Sequence, residues 1–160
     1  MKFLGIDCGL RKTGWAIIQK VNSKLIYIKS GIIRTKIQNE NELIKSDALA
    51  LQTIYDSLIE IITLHQPNHA SIENTYVNNN PLSSLKLAQA RAAAIIACCT
   101  QKIIPYEYQA STIKKVVTGK GNADKIQVNK MICLQLGKIN TESNDESDAI
   151  AIAMCDALSK

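Results

Sequence analysis

The sequence lacks the segments that mark secreted, membrane-spanning and repetitive proteins. Met1 and Lys2 lead straight into a short strand, so we expect no signal peptide. No run of apolar residues approaches the roughly 18 residues of a membrane span. Low-complexity segments, internal repeats and linkers are not visible. A chain of 160 residues with these properties predicts one domain over residues 1–160, located in the cytoplasm.

Metal-binding and disulfide patterns are also missing. The five cysteines are odd in number and form no CxxC pair, which argues against a zinc site or a disulfide scaffold. We expect free, buried thiols. The two histidines form no HExxH pattern, and we expect both at the surface. What the chain does have is 46% hydrophobic residues, enough for a core, and a net charge of +5, which favours an anionic partner.

Apolar periodicity and turn residues predict ten elements. Three β-rich runs come first, "KFLGID", "TGWAIIQKV" and "KLIYIKSGIIRT", and a turn near Asn22 and Ser23 joins the last two as a hairpin. Two later strands, "HASIE" and "KIIPYEY", alternate with long helical segments, and the proline places the second near a sheet edge. Three helices follow, of which two end at Gly119 and Gly137. The order βββ-α-β-α-β-α-α-α predicts an α/β layer fold with a mixed sheet.

Four acidic residues stand at positions typical of an active site. Asp7 ends the first strand and Glu73 ends "HASIE", and ligands gather beyond the carboxyl ends of parallel strands. Asp145 and Asp148 open the last helix three residues apart, so they point in similar directions. A cluster of like charges is unfavourable without a cation. A pair of Mg²⁺ ions would stabilise it and would support phosphodiester hydrolysis.

Each of these residues also has a structural interpretation. Asp7 beside Gly9 is a possible turn former. Asp145 and Asp148 near a helix start suit capping and the helix dipole. Only the combination of all four favours a catalytic site, and the sequence does not show that they meet in space.

A group of lysines surrounds the glycine turn "GKGN". Such a group can approach a phosphodiester backbone closely, although solvated helix lysines are the alternative. Its members are Lys114, Lys115, Lys120 and Lys125. Tyr76 follows Glu73 by three residues in a polar loop that is rich in asparagine, where an aromatic side chain is not expected to belong to the core. The alanine-rich helix "KLAQARAAAIIACC" suits close helix packing, either in a dimer or against the chain's own sheet.

Five segments, in this order, resemble the RuvC family of bacterial Holliday-junction resolvases. They are "GIDCGLRKTGW", "SIENTYVNNNP", "KLAQARAAAI", "STIKKVVTGKGNADKIQV" and "DESDAIAIA", and together they extend from about Lys2 to Leu158. The resemblance implies one nuclease domain with a ribonuclease H-like fold, a mixed five-stranded sheet flanked by helices. It also implies a homodimer that resolves four-way DNA junctions with paired symmetric nicks. Two Mg²⁺ ions per active site are implied, with Mn²⁺ as a possible substitute, and the branch-migration proteins RuvA and RuvB as partners.

Particular residues receive roles from this resemblance. The family's catalytic, metal-binding acids fall on the same four positions, Asp7, Glu73, Asp145 and Asp148. Two other acids of the last helix have no catalytic counterpart: Glu146 is expected to face away, and Asp156 lies at least two turns further on. The DNA-contacting residues fall on Tyr76, which would stack on an unpaired base, and on Lys114 and Lys125. Lys125 would also support the charge of the transition state.

The sequence departs from the family at two positions. Cys8 stands where relatives usually have proline, which makes the strand exit less rigid but leaves the neighbouring ligand intact. Ser111 replaces a residue that is often basic, so one phosphate contact is missing unless Lys115 or Lys120 replaces it.

Three other functions share some of these features. Sugar-kinase-like or actin-like ATPases share the first glycine-rich pattern, but they need a second lobe and a second phosphate loop, which this chain lacks. A non-catalytic junction-binding module would have lost a carboxylate, and none is lost. A single-strand nuclease of the same fold stays open, and a comparison of substrates would separate it from a junction resolvase.

Overall fold

The computed structural model describes residues 1–35, 43–74 and 80–160, without the side chains of residues 43–45. Within these residues, five strands and five helices form in the predicted order. The strands are β1 (Lys2–Asp7), β2 (Lys12–Val21), β3 (Lys24–Arg34), β4 (His69–Asn74) and β5 (Tyr106–Gln109). The helices are α1 (Leu43–His65), α2 (Pro81–Thr100), α3 (Ala110–Thr118), α4 (Lys125–Leu136) and α5 (Asn144–Ser159).

The strands make one mixed sheet in the order β3-β2-β1-β4-β5. β1, β2 and β3 are antiparallel neighbours, whereas β4 runs parallel to both β1 and β5. The turn at Asn22, which has φ 55°, closes the predicted hairpin. Because β1 and β4 are parallel and pair Ile6 with Ile72, Asp7 and Glu73 leave the sheet at the same edge.

Helices cover both faces of the sheet. Leu4 and Ile6 of β1 point to one face, where they join a core cluster with α1 and α2. Ala16 and Ile18 of β2 point to the other face, into a second cluster with α5, α3 and α4. The predicted helix ends are confirmed, since Gly119 caps α3 with a φ of 81° and Gly137 follows α4 with a φ of 82°.

α5 lies against the sheet at two glycines with no room for a side chain. A Cβ atom on Gly5 would stand 2.2 Å from the carbonyl oxygen of Ala149, and one on Gly14 would stand 2.0 Å from that of Asp145. Real Cβ atoms do not approach backbone oxygens so closely, so both positions require glycine. The helix backbone therefore rests directly on β1 and β2.

Two expectations about single residue types need correction. All five thiols are free, but Cys99 and Cys133 are exposed rather than buried. The histidines are half-buried rather than superficial, because His69 stacks on Phe3 at 5.1 Å between ring centroids and His65 lies 5.8 Å from Trp15.

α2 corrects the expectation that no segment approaches the length and composition of a membrane span. Over an 18-residue window it has a mean hydropathy of 1.3, which meets the length and composition of a membrane span. Its buried face is made of small residues that pack into the cluster with α1 and the sheet, and the rest of the helix is largely exposed. These residues are Ala90, Ala94, Ala97 and Cys98.

Candidate active site

Two carboxylates of the site come from neighbouring strand ends. Asp7 is the last residue of β1 and Glu73 is the fifth residue of β4. Both side chains are only partly exposed at the carboxyl edge of the sheet. This is the crevice in which ligands of such sheets bind, and the sequence predicted the placement.

The other two carboxylates come from the first turns of α5. The helix starts after Ser143, whose hydroxyl oxygen accepts a hydrogen bond from the Glu146 backbone N–H at 3.4 Å. Gly14 pairs with Asp7 across the β1–β2 ladder, and the Asp145 carbonyl lies on that same glycine. The sheet register therefore brings the start of α5 beside Asp7.

The four carboxylates share one electrostatic environment. Burial, followed by the negative charges of Asp148, Glu73 and Asp145, raises the pKa of Asp7 to about 7. Burial and the charge of Asp148 also raise the pKa of Glu73 above its usual range. Charges act on one another in this way only at short range. Asp7, Glu73 and Asp148 therefore lie close together, whereas Asp145 acts on Asp7 alone of the three and does not line the cavity that they share.

Two lysines face this acidic cluster. The Lys125 ammonium donates a hydrogen bond to Asp148 Oδ2 at 2.9 Å, and that bond raises the pKa of Lys125. Lys114 lies close enough to oppose the rise in the pKa of Glu73. Both predicted DNA-binding lysines thus stand at the acidic site itself. Lys115 and Lys120 are exposed nearby on α3 and the following turn.

Acids and lysines open into one cavity of about 350 Å³. Its walls come from β1, β4 and the helices α3, α4 and α5. Twelve residues line it: Asp7, Glu73, Ala110, Ile113, Lys114, Lys125, Val128, Asn129, Asn144, Ser147, Asp148 and Ala151. The cavity combines anionic groups that suit a cation with cationic groups that suit a phosphate.

The chemistry of the donor set fits a divalent metal. Carboxylate oxygens are the preferred ligands of Mg²⁺ and Mn²⁺. The pKa of Asp7 is raised first by burial and then by three neighbouring carboxylates, whose negative charge a cation would relieve. Within residues 1–35, 43–74 and 80–160, no three acidic, histidine or cysteine side chains converge as closely as metal ligands do. One of the acids, Asp148, is instead paired with Lys125.

The remaining predictions have mixed outcomes. Tyr76 lies outside the described residues. Glu146 faces away from the cavity, as predicted, and is buried against β3. Asp156 is fully buried far along α5, where it accepts a hydrogen bond from Tyr108 at 2.8 Å. Asn129 and Asn144 line the cavity but were not predicted, since nothing in the sequence distinguishes them from other exposed helix residues.

Cys8, the departure from the family proline, has no free thiolate. Burial and the neighbouring charge of Asp7 raise the pKa of its thiol to about 12. The thiol therefore stays protonated at neutral pH and acts as a small apolar group beside the site.

The strand order and the helices on both faces of the sheet define a ribonuclease H-like fold. The family model described as "Crossover junction endodeoxyribonuclease RuvC" matches residues 3–156. The relative from Teredinibacter turnerae is 42% identical over 159 residues, which cover 98% of this chain and 88% of the relative. That from Methylobacillus flagellatus is 43% identical over 156 residues, which cover 98% and 86%. The chain belongs to the RuvC family, whose members are DNA-cleaving hydrolases that depend on divalent metal ions.

Solved structures agree with this fold. The structure of Thermus thermophilus RuvC in complex with a Holliday junction substrate superposes with a TM-score of 0.87 at 22% identity, covering 99% of this chain and 94% of that one. The yeast mitochondrial Holliday junction resolvase Ydc2 superposes with a TM-score of 0.64 at 14% identity, covering 98% and 77%.

The protonation of Asp7 gives a direct test of the shared site. In the metal-free protein, the Asp7 carboxyl carbon should titrate near pH 7 by ¹³C NMR, against an ordinary value of 3.8. Because the folded pKa is raised, the contribution of Asp7 to folding stability should be greatest at acidic pH and should fall as the pH rises from about 4 to about 7.

Substitutions of neighbouring acids test whether their charges raise the pKa of Asp7. Asp148→Asn removes the largest of the opposing charges, so it should lower the pKa of Asp7. Asp56→Asn, on the exposed face of α1, is the control and should leave that pKa unchanged. An Asp7 pKa near 4 in the unsubstituted protein would show that the carboxylates do not share one site.

Proposed function

We propose that the chain, acting as one nuclease domain over residues 1–160, resolves four-way DNA junctions by hydrolysis of phosphodiester bonds. The observation that supports this most strongly is the meeting of Asp7, Glu73 and Asp148 with two lysines in one cavity, with Asp145 close enough to act on the pKa of Asp7. Membership of the RuvC family supports the choice of DNA junctions as the substrate. The paired cuts would serve recombination and repair.

The four carboxylates are the proposed ligands of two Mg²⁺ ions, which Mn²⁺ would replace. When bound, such ions supply an activated water and neutralise the leaving oxygen. Asp7 is the most central of the acids, because the other three all act on its pKa. Loss of its proton at neutral pH prepares the site for a cation, since a positive charge favours the ionised form.

Lys114 and Lys125 are the proposed DNA contacts at the cavity. Lys114 lies near Glu73, where its ammonium would neutralise a phosphate that enters the crevice. Lys125 is bonded to Asp148 in the absence of DNA. Its side chain is 63% exposed and is therefore free to turn from the carboxylate to a phosphate. In that position it would stabilise the charge of the transition state.

The outer face of α2 supports a homodimer. Apolar residues recur along it at spacings of three, seven and four residues, with the polar Gln89 within the stripe, and they remain exposed in the single chain. Leu82 is 69% exposed, Leu85 is 62% exposed and Ile96 is 57% exposed, with exposed Ala92 between the last two. A stripe of this spacing suits packing against a second helix of the same kind. The two active sites of such a dimer would cut the two equivalent strands of a junction.

Further partners and the location rest on the family alone. We propose that RuvA and RuvB present the junction to this enzyme, and that it works in the cytoplasm. A pull-down with purified RuvA and RuvB on a synthetic junction would test the first of these statements.

Removal of one carboxylate tests the catalytic proposal. Asp7→Asn keeps the shape of the side chain but removes a ligand charge, so junction cleavage in Mg²⁺ should fall by several orders of magnitude. Junction binding in EDTA should be retained or improved, because a negative charge near phosphate is gone. Cleavage is measured by mapping nicks on an end-labelled four-way junction, with duplex and single-stranded DNA as comparison substrates.

Asp56→Asn is the control for this experiment and should cut normally. Near-normal cleavage by Asp7→Asn would overturn the site. Equal cleavage of the junction and of plain single strands would instead favour a single-strand nuclease of the same fold.

If the exposed apolar stripe of α2 (Leu82, Leu85, Ala92 and Ile96) forms the dimer interface, a charge placed within it should disrupt the dimer. Ile96→Glu would bury an unpaired carboxylate between two helices, so the dimer should dissociate in sedimentation velocity, and paired nicks should give way to single, uncoupled nicks. Leu64→Glu is the matched control, because Leu64 is 77% exposed on α1 and lies outside the stripe. A stable Ile96→Glu dimer would exclude this face as the interface.

Tyr76 is the proposed stacking residue for an unpaired base at the junction centre. Stacking of a base on an aromatic ring contributes roughly 1–3 kcal/mol, or about ten- to a hundredfold in rate. Tyr76→Ala should slow junction cutting by that factor without changing the melting temperature, whereas Tyr76→Phe should be nearly silent. A damaging Tyr76→Phe would assign the tyrosine to a hydrogen bond, and a matching loss of stability in Tyr76→Ala would assign it to packing.

A further inference from the structure

Glu146 is a buried carboxylate between the two catalytic acids of α5. It directly follows Asp145 and precedes Asp148 by two residues, yet it is only 4% exposed and points away from the cavity. The Ser30 hydroxyl donates a hydrogen bond to Oε1 at 2.5 Å, and the Glu142 backbone N–H donates one to Oε2 at 2.7 Å. Both carboxylate oxygens are therefore bonded.

The contact with Ser30 continues to a third side chain. The Tyr27 hydroxyl lies 2.8 Å from the Ser30 hydroxyl. A serine hydroxyl has one proton, and Ser30 gives that proton to the carboxylate. Tyr27 is thus the donor to Ser30, and the three groups form a directed chain from Tyr27 through Ser30 to Glu146. Hydrogen bonds in such a chain polarise and strengthen one another.

This arrangement differs from ordinary helix capping. Ser143 and Glu146 have the spacing of a capping box, in which the glutamate would return to the N–H of the capping serine. Here the carboxylate reaches the N–H of Glu142 and the serine of β3 instead. One side chain thus joins the first turn of α5 to the preceding loop and to an edge strand of the sheet.

A buried carboxylate is unfavourable for stability compared with an apolar side chain of similar size. Glu146 lies in the chain between Asp145 and Asp148, which both repel Asp7. Its position is explained if its hydrogen bonds hold the start of α5 in one place. When ionised, Asp145 and Asp148 lie near the like charge of Asp7, and mutual repulsion would favour movement of the helix start away from β1. A bonded anchor on β3 resists that movement, because the helix cannot shift without breaking bonds to a buried charge.

We propose that the Tyr27–Ser30–Glu146 chain is a positioning device, which holds the first turn of α5 so that Asp145 and Asp148 form the metal-binding half of the site. This inference rests on the proposed function of the four carboxylates. Glu146 contacts none of the reacting atoms and acts through the two aspartates beside it.

Metal affinity measured without DNA tests the device. Glu146→Gln keeps the shape but removes the charge: its oxygen can accept from the Glu142 N–H, while its NH₂ group can only donate to Ser30, which reverses the direction of the chain. Mn²⁺ binding followed by electron paramagnetic resonance should weaken by about tenfold, as for other residues that orient metal ligands. The Mg²⁺ concentration for half-maximal cleavage should rise equally. Junction affinity in EDTA should not change.

Control variants separate positioning from stability. Ile54→Val removes one methyl group from the core cluster on the other face of the sheet, which lowers stability by about 0.5–1.5 kcal/mol and should leave Mn²⁺ affinity unchanged. Tyr27→Phe keeps the Ser30–Glu146 bond and should weaken Mn²⁺ binding in the same direction by less. If Glu146→Gln does not fold, Tyr27→Phe and Ser30→Ala supply the measurement.

Two results would overturn the proposal. One is an unchanged Mn²⁺ affinity in folded Glu146→Gln, or in Tyr27→Phe and Ser30→Ala together. The other is an equal loss in Ile54→Val. Asp7→Asn is measured in parallel: loss of Mn²⁺ binding there, with none in Glu146→Gln, rejects the positioning role alone. Undiminished Mn²⁺ binding in Asp7→Asn rejects the four-carboxylate site and the positioning role with it.

Discussion

The direct contact of the α5 backbone with the glycines of β1 and β2 is the constraint on which the site depends. Gly14 pairs with Asp7 in the sheet, and the carbonyl of Asp145 occupies the space where a side chain of Gly14 would stand. Any side chain at Gly14 or Gly5 would lift the helix away from the strands. If the helix lay a few ångströms further away, water would enter between the carboxylates and weaken the electrostatic interaction between them. Two residues without side chains therefore determine how close the acidic start of α5 comes to Asp7.

This closeness creates a repulsion that the rest of the structure has to offset. Burial and three negative neighbours hold the pKa of Asp7 near neutrality, so the metal-free site is unfavourable in its ionised form. Lys125 relieves part of the charge by bonding to Asp148, and Glu146 ties the helix start to β3. The packing of α5 is tight because it must hold in place groups that repel one another.

Much of this arrangement was predictable from local sequence. The carboxylates at strand ends, the element order and the glycines after α3 and α4 all depend on patterns within a few residues, and the structure confirms them. The Ser30–Glu146 bond joins residues 116 positions apart, and the Lys125–Asp148 pair joins residues 23 apart. No local pattern indicates such contacts, because they arise only when separate elements pack.

The errors have a similar origin. Cys98 and Cys99 are adjacent on α2, yet one is buried and the other exposed, because successive helix residues point about 100° apart. Cysteines are buried on average, but the burial of each cysteine in a helix depends on the face of the helix on which it lies. The high hydropathy of α2 likewise has two sources. Small apolar residues on one face pack into the core, and larger apolar residues on the other face are exposed.

The sheet separates these two uses in space. The groups proposed for chemistry stand at the strand ends and on the helices of one face, whereas α2 packs with α1 on the opposite face. In the proposed dimer, substitutions along the outer side of α2 would alter the span between the two cutting centres while leaving each centre intact. A lineage can therefore adjust the geometry of its assembly and the chemistry of its site by independent mutations, with the five strands as the rigid partition between them.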